Sequence, residues 1–442
     1  MNSVEQALAD VSRVHPDLVD DARSAWDALT AGEGPGSLTQ WRLQQFCWDG
    51  LARAWSDEGT SRWRVALALA ALLDALGMPR YAEIARSETT RELVTASETQ
   101  ADRGRSSLRR AMQRSGIEPP DTELVTWGAV MGTVEALAIE TVADRLELAV
   151  AVGDLQPGAR GWRDQQTEIT LDMLNRKRAQ LDGISLYEAI LEERLDEWIR
   201  GPRSTTRSGL LAPLEFRLRD EVDPGMAAPA RVLLKPLDWL LTEVGDGLTL
   251  TAAGYLPPRT VGRALDDLGW RDQIIGGPAT REVDAYPVLA LRETAQRLGL
   301  VRRRGNRLVP TPSGRAALHD GRVLWQAVAG ALVGPEHSAL SVAFEVVLAV
   351  LESGDQVPEE DVRRMVQAVV TESGWRLAGR REPAESDTSA LYYAVIRELR
   401  WLELVRENGS LLDRSLQAVD GASDLFRASL RHRVLHRVVV PF

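Results

Sequence analysis

The sequence predicts a mainly α protein: an N-terminal helical bundle followed by two smaller α+β units, each closed by a short β-hairpin. Three observations carry the prediction. Apolar residues recur at helical spacing from Val4 to about Ala96, as in Leu38, Trp41, Leu43, Phe46, Trp48, Leu51 and Trp55, with no alternating β-branched run beside them. The segment Leu298–Leu318, LGLVRRRGNRLVPTPSGRAAL, reads as a helix end, a tight arginine-rich hairpin and a new helix. A similar order returns near Leu399, where LRWLELVRENGSLLD runs from a helix through Leu-Val-Arg to a turn centred on Asn408-Gly409 and an apolar strand.

Bulk properties set the frame. At 442 residues the chain is expected to hold two to four domains, each able to bury a core. Cys47 is the sole cysteine, so no intramolecular disulfide can form, and its apolar neighbours Phe46 and Trp48 indicate a buried structural thiol. The N-terminus is polar and acidic without a signal-like pattern, and the longest apolar run, Val65–Leu73, is too short to span a bilayer. A cytoplasmic protein with no membrane partner is expected. The basic residues are nearly all arginine, a composition suggesting a high-GC bacterial source, and the thirteen tryptophans are expected to anchor helix packing.

In chain order, residues 1–100 form a helical domain. Arg62–Leu76 is its central helix, because Ala66, Ala68, Ala70, Ala71 and Ala75 let neighbours approach closely and Gly77-Met78-Pro79 ends it. Residues 101–205 form a second helical domain or continue the first. The charged stretch through Ser115 and Glu118-Pro119-Pro120-Asp121 is expected to be a boundary or exposed crossover, with helices resuming over Thr122–Val152 and Trp162–Arg200. Ser185 and Glu188 have capping-box spacing. Gly201–Gly209, GPRSTTRSG, and Asp223-Pro224-Gly225 suggest a linker over 206–230.

The first α+β unit is expected over 231–330: a helix to Val244, a turn at Gly245-Asp246-Gly247, a strand from Leu248, a helix opened by Pro257-Pro258, a third helix Ala285–Leu298 capped by Gly299, two strands around Gly305-Asn306, and a closing helix after Pro312. Residues 331–442 are expected to form a degenerate second copy, with helices Val342–Glu352, Glu359–Thr371 and Thr388–Leu402. This order, with LTLT, the helix pair, GLVRRRGNRLVPT and SGRAAL, resembles the winged helix-turn-helix superfamily. The wing and its ending are similar to those of multiple-antibiotic-resistance-type regulators. The resemblance implies two winged-helix-like units and duplex DNA as the partner of the first.

Net charge is −11, which opposes general adsorption to nucleic acid but permits a local basic site. Between Arg281 and Arg315 eight arginines face three acidic residues, leaving +5. Arg292 and Arg297 on the third helix are therefore expected near the groove, with Arg302, Arg303, Arg304, Arg307 and Arg315 on or beside the wing at the phosphates. The competing expectation is a solvated face whose arginines bind the protein's own carboxylates. From Leu391 to Arg427 five arginines meet six acids, so the second unit is expected to repel phosphate and to serve oligomerisation or partner docking. Arg427, Arg431, Arg433 and Arg437 offer a small terminal basic patch.

Catalytic signatures are missing from the sequence. His432 and His436 share a helix face but lack a HExxH glutamate, and His15, His319 and His337 are scattered. Gly32–Gly36 holds a proline and an acid and no GK[ST] follows, while Glu192-Glu193 and Glu359-Glu360 fit structural ion pairs. The expectation is a non-enzymatic protein with no cofactor and no metal: a DNA-binding regulator or part of a DNA-handling or defence assembly, or alternatively a non-catalytic interaction scaffold.

Overall fold

The computed structural model describes residues 3–51, 61–99, 101–128, 130–201, 204–222, 230–274, 280–334, 338–376, 381–410 and 413–436. Trp55, the Asp223-Pro224-Gly225 break, His337 and Arg437 lie outside the described residues. Among the described residues the protein is mainly helical with two small antiparallel sheets, as the sequence predicts. Among the described residues, no helix is long and apolar enough to cross a membrane. The chain divides into two compact units, one of residues 1–127 and 131–190, the other of 128–130 and 191–442. Both expected hairpin modules fall within the second.

In the first unit, α1 (Val4–Val14), α2 (Val19–Thr30), α3 (Gln40–Gln45), α4 (Arg62–Ala75), α5 (Pro79–Ala85) and α6 (Glu88–Thr99) follow one another. Helix α4 is the centre. Val65, Ala66, Ala68, Leu69, Leu72 and Leu73 are buried all round it, and α1, α2, α5 and α6 pack on it. Its alanines remove the side-chain bulk that would hold those neighbours apart, and Gly77 at φ 76° ends it. Trp26, Trp41 and Trp48 are core residues, Trp48 donating from Nε1 to Thr90 Oγ1 at 2.8 Å. Cys47 is fully buried in a π-helical turn, and burial pushes its thiol up to about 12.

Two expectations for this unit need correction. The charged stretch before Ser115 is a helix, α7 (Ala101–Ser115), and the break comes only at Gly116, φ 78°. The next helix, α8 (Thr133–Val152), starts eleven residues later than Thr122. Pro119-Pro120 is followed by a turn in which Thr122 N donates to Val125 O at 2.9 Å and Trp127 N to Asp121 Oδ1 at 2.9 Å, and this local bonding competes with helix. Helix α9 (Trp162–Asn175) packs on α8. The expected capping box at α10 (Leu186–Arg200) is present: Glu188 N donates to Ser185 Oγ at 3.1 Å and Ser185 N to Glu188 Oε2 at 2.7 Å.

In the second unit, the segment read as a linker forms α11 (Thr205–Leu211) and α12 (Glu215–Arg219). Long-range ion pairs explain the correction. Glu345, 4% exposed, takes Arg207 on Oε2 at 2.9 Å and Arg433 on Oε1 at 3.0 Å; two turns on, Glu352 pairs with Arg217 at 2.7 Å. After α13 (Ala230–Leu233), the first module runs α14 (Lys235–Val244), β1 (Leu248–Thr249), α15 (Pro258–Asp267), α16 (Tyr286–Arg297), β2 (Val301–Arg304), β3 (Arg307–Pro310), α17 (Pro312–His319) and α18 (Gly321–Ala331). The second repeats the order: α19 (Ala339–Leu351), β4 (Val357–Pro358), α20 (Glu359–Glu372), α21 (Glu385–Trp401), β5 (Val405–Ser410), β6 (Asp413–Ala418) and α22 (Ala422–Leu435). Strand orders β1-β3-β2 and β4-β6-β5 match, so the weak sequence repeat is a full topological one.

The hairpins differ in their turns. Arg304 pairs with Arg307 around Gly305, φ 62°, as the sequence predicts. Asn408 and Gly409 instead lie inside β5, opposite Ser415 and Arg414, and the ladder continues to the pair Ser410 and Asp413. Gly409 answers a different need there: a Cβ would run into the Asp413 carbonyl oxygen, and its φ is 94°.

Candidate nucleic-acid interface

The β2–β3 hairpin has two unlike faces. Paired residues in an antiparallel ladder project to the same side, so Val301, Leu308 and Pro310 share one face with Arg303, and Arg302, Arg304, Arg307 and Val309 share the other. Val301 and Leu308 are buried, which fixes the first face inward and drives Arg302, Arg304 and Arg307 outward. All three are exposed.

Backbone carbonyls hold the guanidinium groups of Arg303, Arg307 and Arg315. Arg307 donates to Gly247 O at 2.8 Å, and a Cβ at Gly247 would lie 2.7 Å from its guanidinium nitrogen. Arg303 donates to Gly305 O at 3.0 Å and lies over Gly254, where a Cβ would come within 2.6 Å. Arg315 donates to Pro310 O at 3.1 Å. Among the described residues no carboxylate lies within ion-pair distance of Arg302, Arg303, Arg304, Arg307 or Arg315. Five uncompensated cations thus stand on and beside one hairpin. The sequence did not single out Gly247 and Gly254 as seats for arginines; their place in turns was the only signal.

The third helix does not join them. Arg292 is internal: its Nε donates to the fully buried Glu282 at 2.6 Å and its side chain is 11% exposed. Glu282 also accepts from Leu256 N at 2.7 Å, so the pair ties the segment just before α15 to α16. Arg297 donates to Ala331 O at 2.8 Å and forms an ion pair with Glu398 on α21. Both positions expected near a groove are therefore engaged in holding the fold.

The second module contacts both ends of α16. Tyr286 meets Trp401 edge-on at 6.3 Å, Trp270 meets Trp401 at 5.8 Å, and the Arg397 guanidinium lies 5.4 Å from the Tyr286 ring. Trp270 Nε1 donates to Glu403 at 3.1 Å. These aromatic and ionic partners, about a hundred residues apart in sequence, engage the two ends of α16, at Tyr286 and Arg297, while Glu293 between them is exposed.

On and beside the second hairpin Arg414 and Arg400 are compensated, while Arg406 has no carboxylate within ion-pair distance among the described residues. Arg414 is 3.4 Å from Glu407 and 3.5 Å from Glu359, and Arg400 is 3.7 Å from Glu407. The expected C-terminal basic patch dissolves as well: Arg427 pairs with Asp424 at 2.6 Å, Arg431 donates to Leu218 O at 3.1 Å, and Arg433 binds Glu345. His432 and His436 stack at 3.7 Å, and burial drives His432 down to about 3, so its imidazole is neutral. Among the described residues no three histidine, cysteine or carboxylate side chains group together as metal ligands would. No protein-family model, curated protein or solved structure matches this chain.

Proposed function

We propose that this is a winged-helix protein of the cytoplasm whose first hairpin binds the phosphate backbone of duplex DNA without reading its bases, within a bacterial regulatory or DNA-handling assembly. The observation that carries the reading is the outward face of β2–β3: Arg302, Arg304 and Arg307 on one side of a hairpin, exposed, with no carboxylate within ion-pair reach among the described residues. Guanidinium forks bind phosphate oxygens bidentately. The internal engagement of Arg292 and Arg297 on the third helix argues for backbone contact in place of groove readout, and backbone contact alone gives dissociation constants of roughly 100 μM to 1 μM. The buried free thiol of Cys47 fits a reducing compartment.

The experiment is fluorescence anisotropy with several unrelated 20-base-pair duplexes. Binding should be equal across sequences and should fall at least about tenfold in the Arg302→Ala, Arg304→Ala, Arg307→Ala variant, the loss of a single charge-assisted bond being enough for that. Unchanged affinity in the variant would remove the wing from the account.

One observation favours a second reading, that of an interaction scaffold. The third helix, which a winged protein would present to DNA, here grips another module of the same chain at both ends, through Arg297–Glu398 and the Tyr286–Trp401–Trp270 cluster. Under this reading the parent chain shows no salt-dependent DNA retention and forms a defined oligomer or protein complex by light scattering.

A further inference from the structure

The two modules end their third helices alike, except at one residue. Leu298-Gly299-Leu300-Val301-Arg302 and Leu402-Glu403-Leu404-Val405-Arg406 hold equivalent places between helix and first hairpin strand. In the first, Gly299 N donates to Gln296 O at 3.1 Å and Leu300 N to Ala295 O at 3.0 Å; in the second, Glu403 N donates to Arg400 O and Leu404 N to Leu399 O, both at 2.9 Å. The backbone is left-handed at both, with φ 69° at Gly299 and 58° at Glu403. Glycine adopts that conformation freely, whereas a residue with a Cβ does so at a cost of about 1–2 kcal/mol. A strained residue held by its surroundings, where the sister module has the relaxed one, points to a use for the side chain.

That side chain lines an open cavity of about 360 Å³ between the modules. Trp270, 2% exposed, belongs to the first module and donates to Glu403 Oε1; Val405 and Val419 add an apolar lining from the second. The polar lining beside Glu403 consists of Gln273, Arg400 and Arg406. Arg400 reaches Glu407 only at 3.7 Å and leans over the Trp401 ring at 5.3 Å, and Arg406 has no carboxylate within 4 Å among the described residues. The cavity therefore brings together Arg406, with no carboxylate within ion-pair distance among the described residues, Arg400, whose one carboxylate partner Glu407 stands off at 3.7 Å, and Glu403, which accepts from the Trp270 indole. Its size is at the lower end of small-molecule sites, and its lining is more polar than apolar, with Gln273, Arg400, Glu403 and Arg406 beside Trp270, Val405 and Val419.

We propose that this cavity binds a small organic anion, a carboxylate or phosphate on an apolar body, with Arg400 and Arg406 holding the charge and Trp270, Val405 and Val419 the body. The site is separate from the wing and independent of whether the wing binds DNA. Because both modules line it, an occupant contacts both at once.

Four phenyl-bodied probes test the charge selectivity on the full chain: benzoate and phenyl phosphate as anions, benzamide as a neutral isostere and benzylamine as a cation, each followed by ligand-observed NMR titration. The anions should bind and the other two should not. Arg400→Gln with Arg406→Gln should weaken benzoate binding roughly tenfold or more, the effect of losing one charge-assisted hydrogen bond. In the parent chain the Trp270 indole N–H resonance, identified with Trp270→Phe, should shift on adding benzoate, a readout that needs no arginine variant to fold. Equal binding of benzamide, unchanged affinity in the double variant, or a Trp270 resonance that ignores benzoate would each overturn the proposal.

Discussion

Removing the Glu345 carboxylate should unfold the second unit more readily than any surface substitution in it. Glu345 sits on α19 with both oxygens engaged, Arg207 of α11 on one and Arg433 of α22 on the other, and the three side chains are between 4% and 10% exposed. In Glu345→Ala two guanidinium groups stay in a low-dielectric setting and lose the carboxylate they share, and breaking a buried pair from one side costs about 3–5 kcal/mol. A typical domain is stable by about 5–15 kcal/mol, so the loss is a large fraction of the whole. Replacing all three residues with apolar ones (Arg207→Met, Glu345→Leu, Arg433→Met) removes the desolvated charges together and should recover most of it. Urea unfolding followed by circular dichroism and tryptophan fluorescence is the assay. Trp198 is a local reporter because Arg207 lies over its ring at 4.8 Å. The chain has two units and each transition is fitted separately. A loss under about 1 kcal/mol in Glu345→Ala, or a triple variant no better than the single one, would refute the reasoning.

Two further outcomes follow from local geometry. Gly314 in α17 has no room for a side chain, because a Cβ would strike the Leu300 carbonyl oxygen, so Gly314→Ala should lower stability by about 1–3 kcal/mol or more in a thermal melt, where a surface substitution would leave the midpoint in place. Glu118 in the first unit is held up at about 7, first by burial and then by the nearby Asp121 charge. Its folded value exceeds the ordinary 4.5, so the unfolded chain releases the proton first and stability falls as pH rises from about 4.5 through 7. Glu118→Gln should flatten that decline in denaturation measured at pH 5 and pH 8; an identical slope in variant and parent would show that Glu118 does not titrate in this window.

Where the structure followed the sequence, short-range chemistry decided the outcome. The Ser185–Glu188 cap, the Gly77 and Gly299 helix ends and the two-residue Gly305-Asn306 turn each depend on residues within a few positions of one another. Where it departed, the deciding partner was distant. Arg207 lies in a stretch rich in Ser, Thr, Gly and Pro that reads as a loop, yet its partner Glu345 is 138 residues away. Arg297 looks like a groove arginine until Glu398, 101 residues on, occupies it. Asn408-Gly409 has strong turn chemistry, but the glycine serves a close cross-strand approach. The arginine cluster was thus legible as charge and half legible as a site, since the alternation of a hairpin sorts 302, 304 and 307 outward while nothing local marks 292 and 297 as internal.

The outward wing is tested most directly by the salt dependence of duplex binding, compared between the parent and the Arg302→Ala, Arg304→Ala, Arg307→Ala variant. Three phosphate contacts give a slope near −2.7 in log affinity against log salt, or roughly 40-fold weaker binding between 50 and 200 mM. The parent should show at least that slope and the variant should lose about 2.7 of it. Parallel lines for the two proteins would contradict the claim that these three arginines meet phosphate.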